Sequence, residues 1–179
     1  LQILAETGDK QYIPLFQKGL APDQAYSVVG AALSGLTKLD PLAAVAASKA
    51  LQNDESESII PVLTELYGEN PDRANLPFFE QKIDKVDYMG AFSFFENYRK
   101  FLVGIGDPAL IGNGIDRFKN IALDANTSQW RRFGATKAIA DIRNFYKEKG
   151  EMDKVTALRT LLSEIKKKEK DETLKLYYN

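Results

Sequence analysis

The chain has 179 residues, of which 44% are hydrophobic and 27% charged, so it has the apolar content to form a core and is not composed like a disordered segment. Its formal net charge is -1, without the excess of Lys and Arg that a primary role on nucleic acid calls for. It contains neither Cys nor His, which excludes disulfides, thiolate chemistry and the commonest zinc ligand and general base.

Apolar residues recur at spacings of three and four almost throughout, and β-type alternation is scarce, so the chain reads as all-helical. The opening, Leu1 to Glu6, lacks both Met and the order of a signal peptide, and reads as a cut within a longer protein. Residues 9–20 carry Ile13, Phe16 and Leu20 as one stripe. Asp23 is then expected to cap a helix over residues 24–38, with Tyr26, Val29, Leu33 and Leu36 facing inward and Gly30, Ala31, Ala32 and Gly35 admitting a close neighbour. Asp40-Pro41 is a start signal, because Asp caps and Pro at the first helical position gives up no hydrogen bond. The Ala-rich helix that follows, over residues 41–52, is expected to turn Leu42, Val45, Ala46 and Leu51 inward. Asp54 is the expected cap of a helix carrying Ile59, Ile60, Leu63, Leu66 and Tyr67, with Pro61 in its first turn.

A shorter helix over residues 75–86 contains Phe78, Phe79 and Ile83. Asp87 is the expected cap of the next, whose aromatics Tyr88, Phe92, Phe94, Phe95, Tyr98 and Phe101 lie all round it, the mark of a helix buried between neighbours. Asp107-Pro108 repeats the start signal for a helix to Leu123, interrupted by Gly112 and Gly114. Ser128 caps a helix with Trp130, Phe133, Ala138, Ile139, Ile142 and Phe145, and after Gly150 a last helix presents Met152, Val155, Leu158, Leu162 and Ile165. The end, Leu174 to Asn179, reads as a natural C-terminus, and no apolar run is long enough to span a membrane.

The expected caps Asp23, Asp54, Asp87 and Ser128 lie 31 to 41 residues apart, the period of helical-pair repeats. Tyr26-Ser27-Val28-Val29-Gly30-Ala31 aligns with Trp130-Arg131-Arg132-Phe133-Gly134-Ala135. The expected architecture is therefore a HEAT-like α-α superhelix, a solenoid of antiparallel helix pairs forming one domain over residues 1–179.

No residue is assigned a catalytic, cofactor-binding or metal-binding role. Trp130-Arg131-Arg132 has two readings: an Arg fork in a cleft holding a carboxylate or another domain, or a buried Trp130 with one Arg paired to a carboxylate of the preceding helix. The basic run of Lys166, Lys167, Lys168 and Lys170 reads first as a solvated helix end, where cations suit the helix dipole, and second as a surface for an acidic partner.

The segments Tyr26 to Leu36, Leu39-Asp40-Pro41, Met89-Gly90-Ala91-Phe92-Ser93-Phe94-Phe95 with Tyr98 and Phe101-Leu102, and Trp130 to Ala135 resemble the C-terminal helical domain of M1-family (gluzincin) zinc aminopeptidases, particularly the bacterial aminopeptidase N-like proteins. The resemblance covers most of the chain and rests on helix-packing patterns. It implies the non-catalytic C-terminal part of a larger metallopeptidase, packed on a catalytic domain that holds the zinc and shaping the access of peptide substrate. Some members of that family place an Arg of this domain near the end of the bound peptide, and Arg131, Arg132 and Arg143 are candidates that no motif separates. The different class of reading is a free-standing HEAT-like scaffold for a protein or peptide partner.

Overall fold

A computed structural model describes residues 1–86 and 88–176, apart from the side chains of Gln2, Tyr88 and Met89. The expected Asp87 cap, the place of Tyr88 in the aromatic set, the Met89 side chain and the last three residues lie outside the described residues. The protein is all-α, with helices packing on one another and no strand among the described residues. It forms two compact units, Leu1–Glu80 and Gln81–Asn179.

In the first unit the helices are α1 (Gln2–Glu6), α2 (Ile13–Lys18), α3 (Tyr26–Leu39), α4 (Pro41–Ser48), α5 (Ile60–Glu69) and the start of α6 (Leu76–Lys82). Helix α3 packs against α1, α2, α4 and α5, and its small residues set how closely they approach. A Cβ on Gly35 would stand 2.1 Å from the Phe16 ring, and one on Gly30 would stand 2.5 Å from the backbone oxygen of Ser58. Phe16, Leu33, Leu36, Leu63 and Leu66 form the core around these approaches. A polar cluster is buried beside them. The Tyr67 hydroxyl donates to Ser48 Oγ at 2.9 Å, the Ser48 hydroxyl donates in turn to Val45 O at 2.8 Å, and Gln52 donates to Asn75 Oδ1 at 2.9 Å.

Several expected starts fall elsewhere. Residues 9–20 are not one helix. Asp9 caps a 3₁₀ turn (Lys10–Tyr12), and α2 then begins with Pro14 in its first turn. Asp23 does not cap α3, which starts from Ala25, and Asp23 instead accepts from the Gln24 side chain at 3.3 Å. Asp54 closes a local turn onto the Ser56 amide at 2.7 Å, leaving α5 to begin only at Ile60, with Pro61 in its first turn as expected. With two of the four caps misplaced, their spacing no longer measures a repeat. Asp40 does cap α4, accepting from the Ala43 amide at 3.0 Å. The face α4 buries is Ala44 and Ser48, while Leu42 is 82% exposed. Helix α4 packs on α3 and α5, and Ser48 accepts from the Tyr67 hydroxyl of α5.

In the second unit the helices are the end of α6, then α7 (Tyr88–Ile105), α8 (Pro108–Leu123), α9 (Gln129–Glu148), α10 (Met152–Lys168) and α11 (Glu172–Lys175). Connections of two, five and three residues join α7 to α8, α8 to α9 and α9 to α10, short enough to fold successive helices back on one another. Gly106, with φ of +72°, makes the first of these turns possible, and Asp107 caps α8 as expected. Helix α9 is central and packs on α7, α8 and α10. Phe95 and Tyr98 meet Phe118 edge-on, with ring centroids 5.7 and 5.6 Å apart, so aromatic surface from α7 and α8 fills the core. Helix α8 runs unbroken through both of its glycines. A Cβ on Gly114 would come within 2.2 Å of Leu102, whereas one on Gly112 would meet nothing within 4 Å.

Candidate functional site

The start of α9 gathers the residues with most chemical capacity. The turn before it is fixed by Asp124, whose carboxylate accepts from the Asn126 amide and the Thr127 hydroxyl, both at 2.9 Å. Those bonds, the Asn126 amide foremost, hold the Asp124 carboxyl below the ordinary value. Ser128 then caps the helix through the Arg131 amide at 3.4 Å, as its position implied.

Trp130, in the first turn, is 51% exposed and not in the core. The face that α9 turns inward carries Ala135, Ala138, Ile139 and Ile142, and Trp130 falls outside it. Three residues on, Phe133 stacks on Phe92 of α7 at 6.1 Å, and Phe92 is itself 40% exposed. Trp130, Phe133 and Phe92 thus place aromatic surface at the start of α9.

The two arginines have separate tasks. Arg131 lies over the Phe95 ring, 5.6 Å from its centre, and donates to Ile83 O at 2.9 Å and to Val86 O. It therefore binds the carbonyls of the turn that follows α6 rather than a carboxylate. Burial pushes its guanidinium down from the usual value, while the Asp84 carboxylate acts in the opposite direction. Arg132 donates through Nε and Nη2 to the two carboxylate oxygens of Glu169, at 3.0 and 2.8 Å, and through Nη1 to Thr127 O at 2.6 Å.

Glu169 follows the last turn of α10, and its side chain is only 2% exposed. Burial pushes its carboxyl up, but the Arg132 fork and the Asp171 and Lys170 amides outweigh it and hold the group down to about 2. A cleft of about 110 Å³ lies beside this pair, lined by Ala122, Leu123, Ala125, Arg132 and residues 168–170.

The paired carboxylate thus comes from beyond the last long helix and not from the helix before α9. The sequence holds one trace of it: Glu169 is the lone acid within the run Lys166 to Lys170. Lys168 of that run pairs with Glu164 at 2.8 Å on an exposed face. Arg143, the third candidate, binds the side chain of its neighbour Asn144 at 3.0 and 3.3 Å.

The donor set does not fit a zinc site. The chain has no His or Cys, and the described residues contain no group of three or more Asp or Glu placed to hold a metal ion. No described helix is long and apolar enough to cross a membrane. Compared with known proteins, the chain matches no family model, no curated protein and no solved structure.

Proposed function

We propose that this chain is a non-catalytic helical domain of an M1-family zinc aminopeptidase, packing on the catalytic domain of the same polypeptide and shaping the access of peptide substrate. In this reading the zinc and the catalytic groups belong to that other domain, and the two units form part of a HEAT-like superhelix. One observation carries it. Many of the residues in which the sequence resembles that family lie in the packed interior here, although Tyr26, Phe92 and Trp130 are exposed. Gly30, Gly35 and Gly134 each lie against a neighbouring group, at 2.5, 2.1 and 3.1 Å from where a Cβ would stand, Phe94, Phe95, Tyr98 and Phe101 are buried, and Asp40 caps α4. The resemblance therefore has a physical basis in packing, which is what a domain of this kind supplies.

The test is to capture the native protein from its source cells with an antibody to this chain. The captured polypeptide is then sized, assayed for zinc, and offered aminoacyl-nitroanilide substrates. The expected species is several times longer than 179 residues, contains zinc, and releases N-terminal residues in a chelator-sensitive way. A polypeptide of this length with no aminopeptidase activity would sink the reading and favour a free-standing scaffold for a protein or peptide partner.

A further inference from the structure

The end of the chain is tied to the second unit in an uneven way. Helix α10 closes with the Glu169 amide donating to Ile165 O at 2.9 Å, and Glu169 itself is extended, with φ of -64° and ψ of 131°. Beyond it the backbone hydrogen bonds turn back on the segment itself. Lys175 N donates to Asp171 O at 3.2 Å and Leu176 N to Thr173 O at 3.3 Å, while Asp171 Oδ1 takes the Thr173 and Leu174 amides. Among the described residues, two buried side chains anchor this small turn: the Glu169 carboxylate in the Arg132 fork, and Leu174, which is only 4% exposed.

We propose that residues 169–176 form a latch that opens and closes as one unit, with Arg132 and Glu169 as its clasp, while α7 to α10 stay folded. The four residues of α11 are far too few to hold a helix unaided, because nucleation alone is unfavourable in so short a stretch. Their order depends on the anchors, so release of either anchor frees both. Glu169 also organises the entry to the segment, accepting from the Lys170 and Asp171 amides at 2.8 and 3.0 Å. Letting go of Arg132 therefore loosens the turn that leads to Leu174. Opening exposes the Arg132 guanidinium and Ala122, the buried part of the adjoining cleft wall, to solvent. This is a local, sub-global opening of a short segment.

Hydrogen exchange on the whole chain tests it, read at the amides of residues 173–176 and at those of residues 135–142 in α9. In the unaltered protein the latch amides exchange at least about tenfold faster than the α9 amides. Glu169→Gln and Leu174→Ala each accelerate all four latch amides by a further factor of about ten, with α9 changed less than about twofold. Arg132→Lys, which keeps the charge but loses the fork, gives a smaller acceleration of the same four. Far-UV circular dichroism confirms that each variant keeps its helices. Latch amides that exchange no faster than α9 overturn the proposal. So does an acceleration by Glu169→Gln that spreads over α7 to α10, and so does a variant that loosens only the amides next to its own site.

Discussion

Adding one methyl group at each of two helical glycines should move stability in opposite directions. At Gly112, inside α8, a Cβ meets nothing within 4 Å. Ala there relieves the entropic cost of a mid-helix glycine and stabilises by about 1 kcal/mol. At Gly30, inside α3, the same Cβ lands 2.5 Å from the Ser58 oxygen and 3.3 Å from its carbon. Ordinary contact begins at 3.4 Å, so a backbone carbonyl has to retreat by about 0.9 Å. Ser58 leads directly into Ile59, which is fully buried, so the retreat disturbs the start of α5 rather than a free loop. Overpacking of this kind costs about 1–3 kcal/mol, and the propensity gain of about 1 kcal/mol offsets part of it. A carbonyl shift of this size takes the upper half of that range, about 2–3 kcal/mol, so the expected net loss for Gly30→Ala is about 1–2 kcal/mol, against a gain of about 1 kcal/mol for Gly112→Ala. Urea unfolding followed by circular dichroism measures both. The fluorescence of Trp130, the sole tryptophan, adds a probe within the unit that contains Gly112. If the units unfold separately, each variant moves only the transition of its own unit. A Gly30→Ala protein as stable as the parent would refute the close approach of Ser58.

Three further outcomes follow from single side chains. In a carboxyl ¹³C titration by NMR, Glu169 is expected to titrate near about 2, and in Arg132→Gln its midpoint rises, because the fork that outweighs burial is gone. The sign follows from linkage: the depressed value contributes stability that is complete above 4.5 and is lost as pH falls toward about 2, so a midpoint near 4.5 in the parent protein would refute the clasp. Tyr67→Phe removes a buried hydroxyl that donates to Ser48 and is expected to cost about 1 kcal/mol in urea unfolding. Trp130, half exposed, should be readily quenched by acrylamide in the folded chain, and Trp130→Ala should alter stability by no more than about 0.5 kcal/mol, a result a core tryptophan could not give.

What could be read from the sequence divides by the range of the interaction. Asp40, Asp107 and Ser128 are legible as caps because each bonds an amide two or three residues along, and in two of the three a proline follows directly. Asp23 and Asp54 have no proline after them and spend their carboxylates on Gln24 and Ser56, yet Ser128 has none either and does cap, so the local sequence separates caps from turns only in part. Residues 41–52 mislead for a related reason. In an Ala-rich helix the apolar residues do not mark a face, and the buried residues of α4 are Ala44 and Ser48, the latter holding the Tyr67 hydroxyl. The candidate site was half legible. Two adjacent arginines at a helix start announce a binding role, but their partners are 37 residues onward for Arg132 and 45 and 48 residues back for Arg131.

The internal alignment holds up differently from the cap spacing, and the difference bears on what repeats. Tyr26 and Trp130 both stand in the first turn of a long helix, and both are exposed, at 58% and 51%. Four residues later, Gly30 and Gly134 are both buried where a neighbour presses in. For Gly30 that neighbour is the Ser58 oxygen at 2.5 Å, and for Gly134 it is Phe95 at 3.1 Å with the Phe92 backbone at 3.5 Å. Helices α3 and α9 are also the ones on which the other helices of their units pack. The aligned residues therefore share a structural task, a small residue one turn into the central helix that lets a partner approach. They are 104 positions apart, two to three times the length of a helical-pair repeat. The correspondence thus relates one unit to the other and not one helix pair to the next, and it would survive even if no regular pair period ran through the chain.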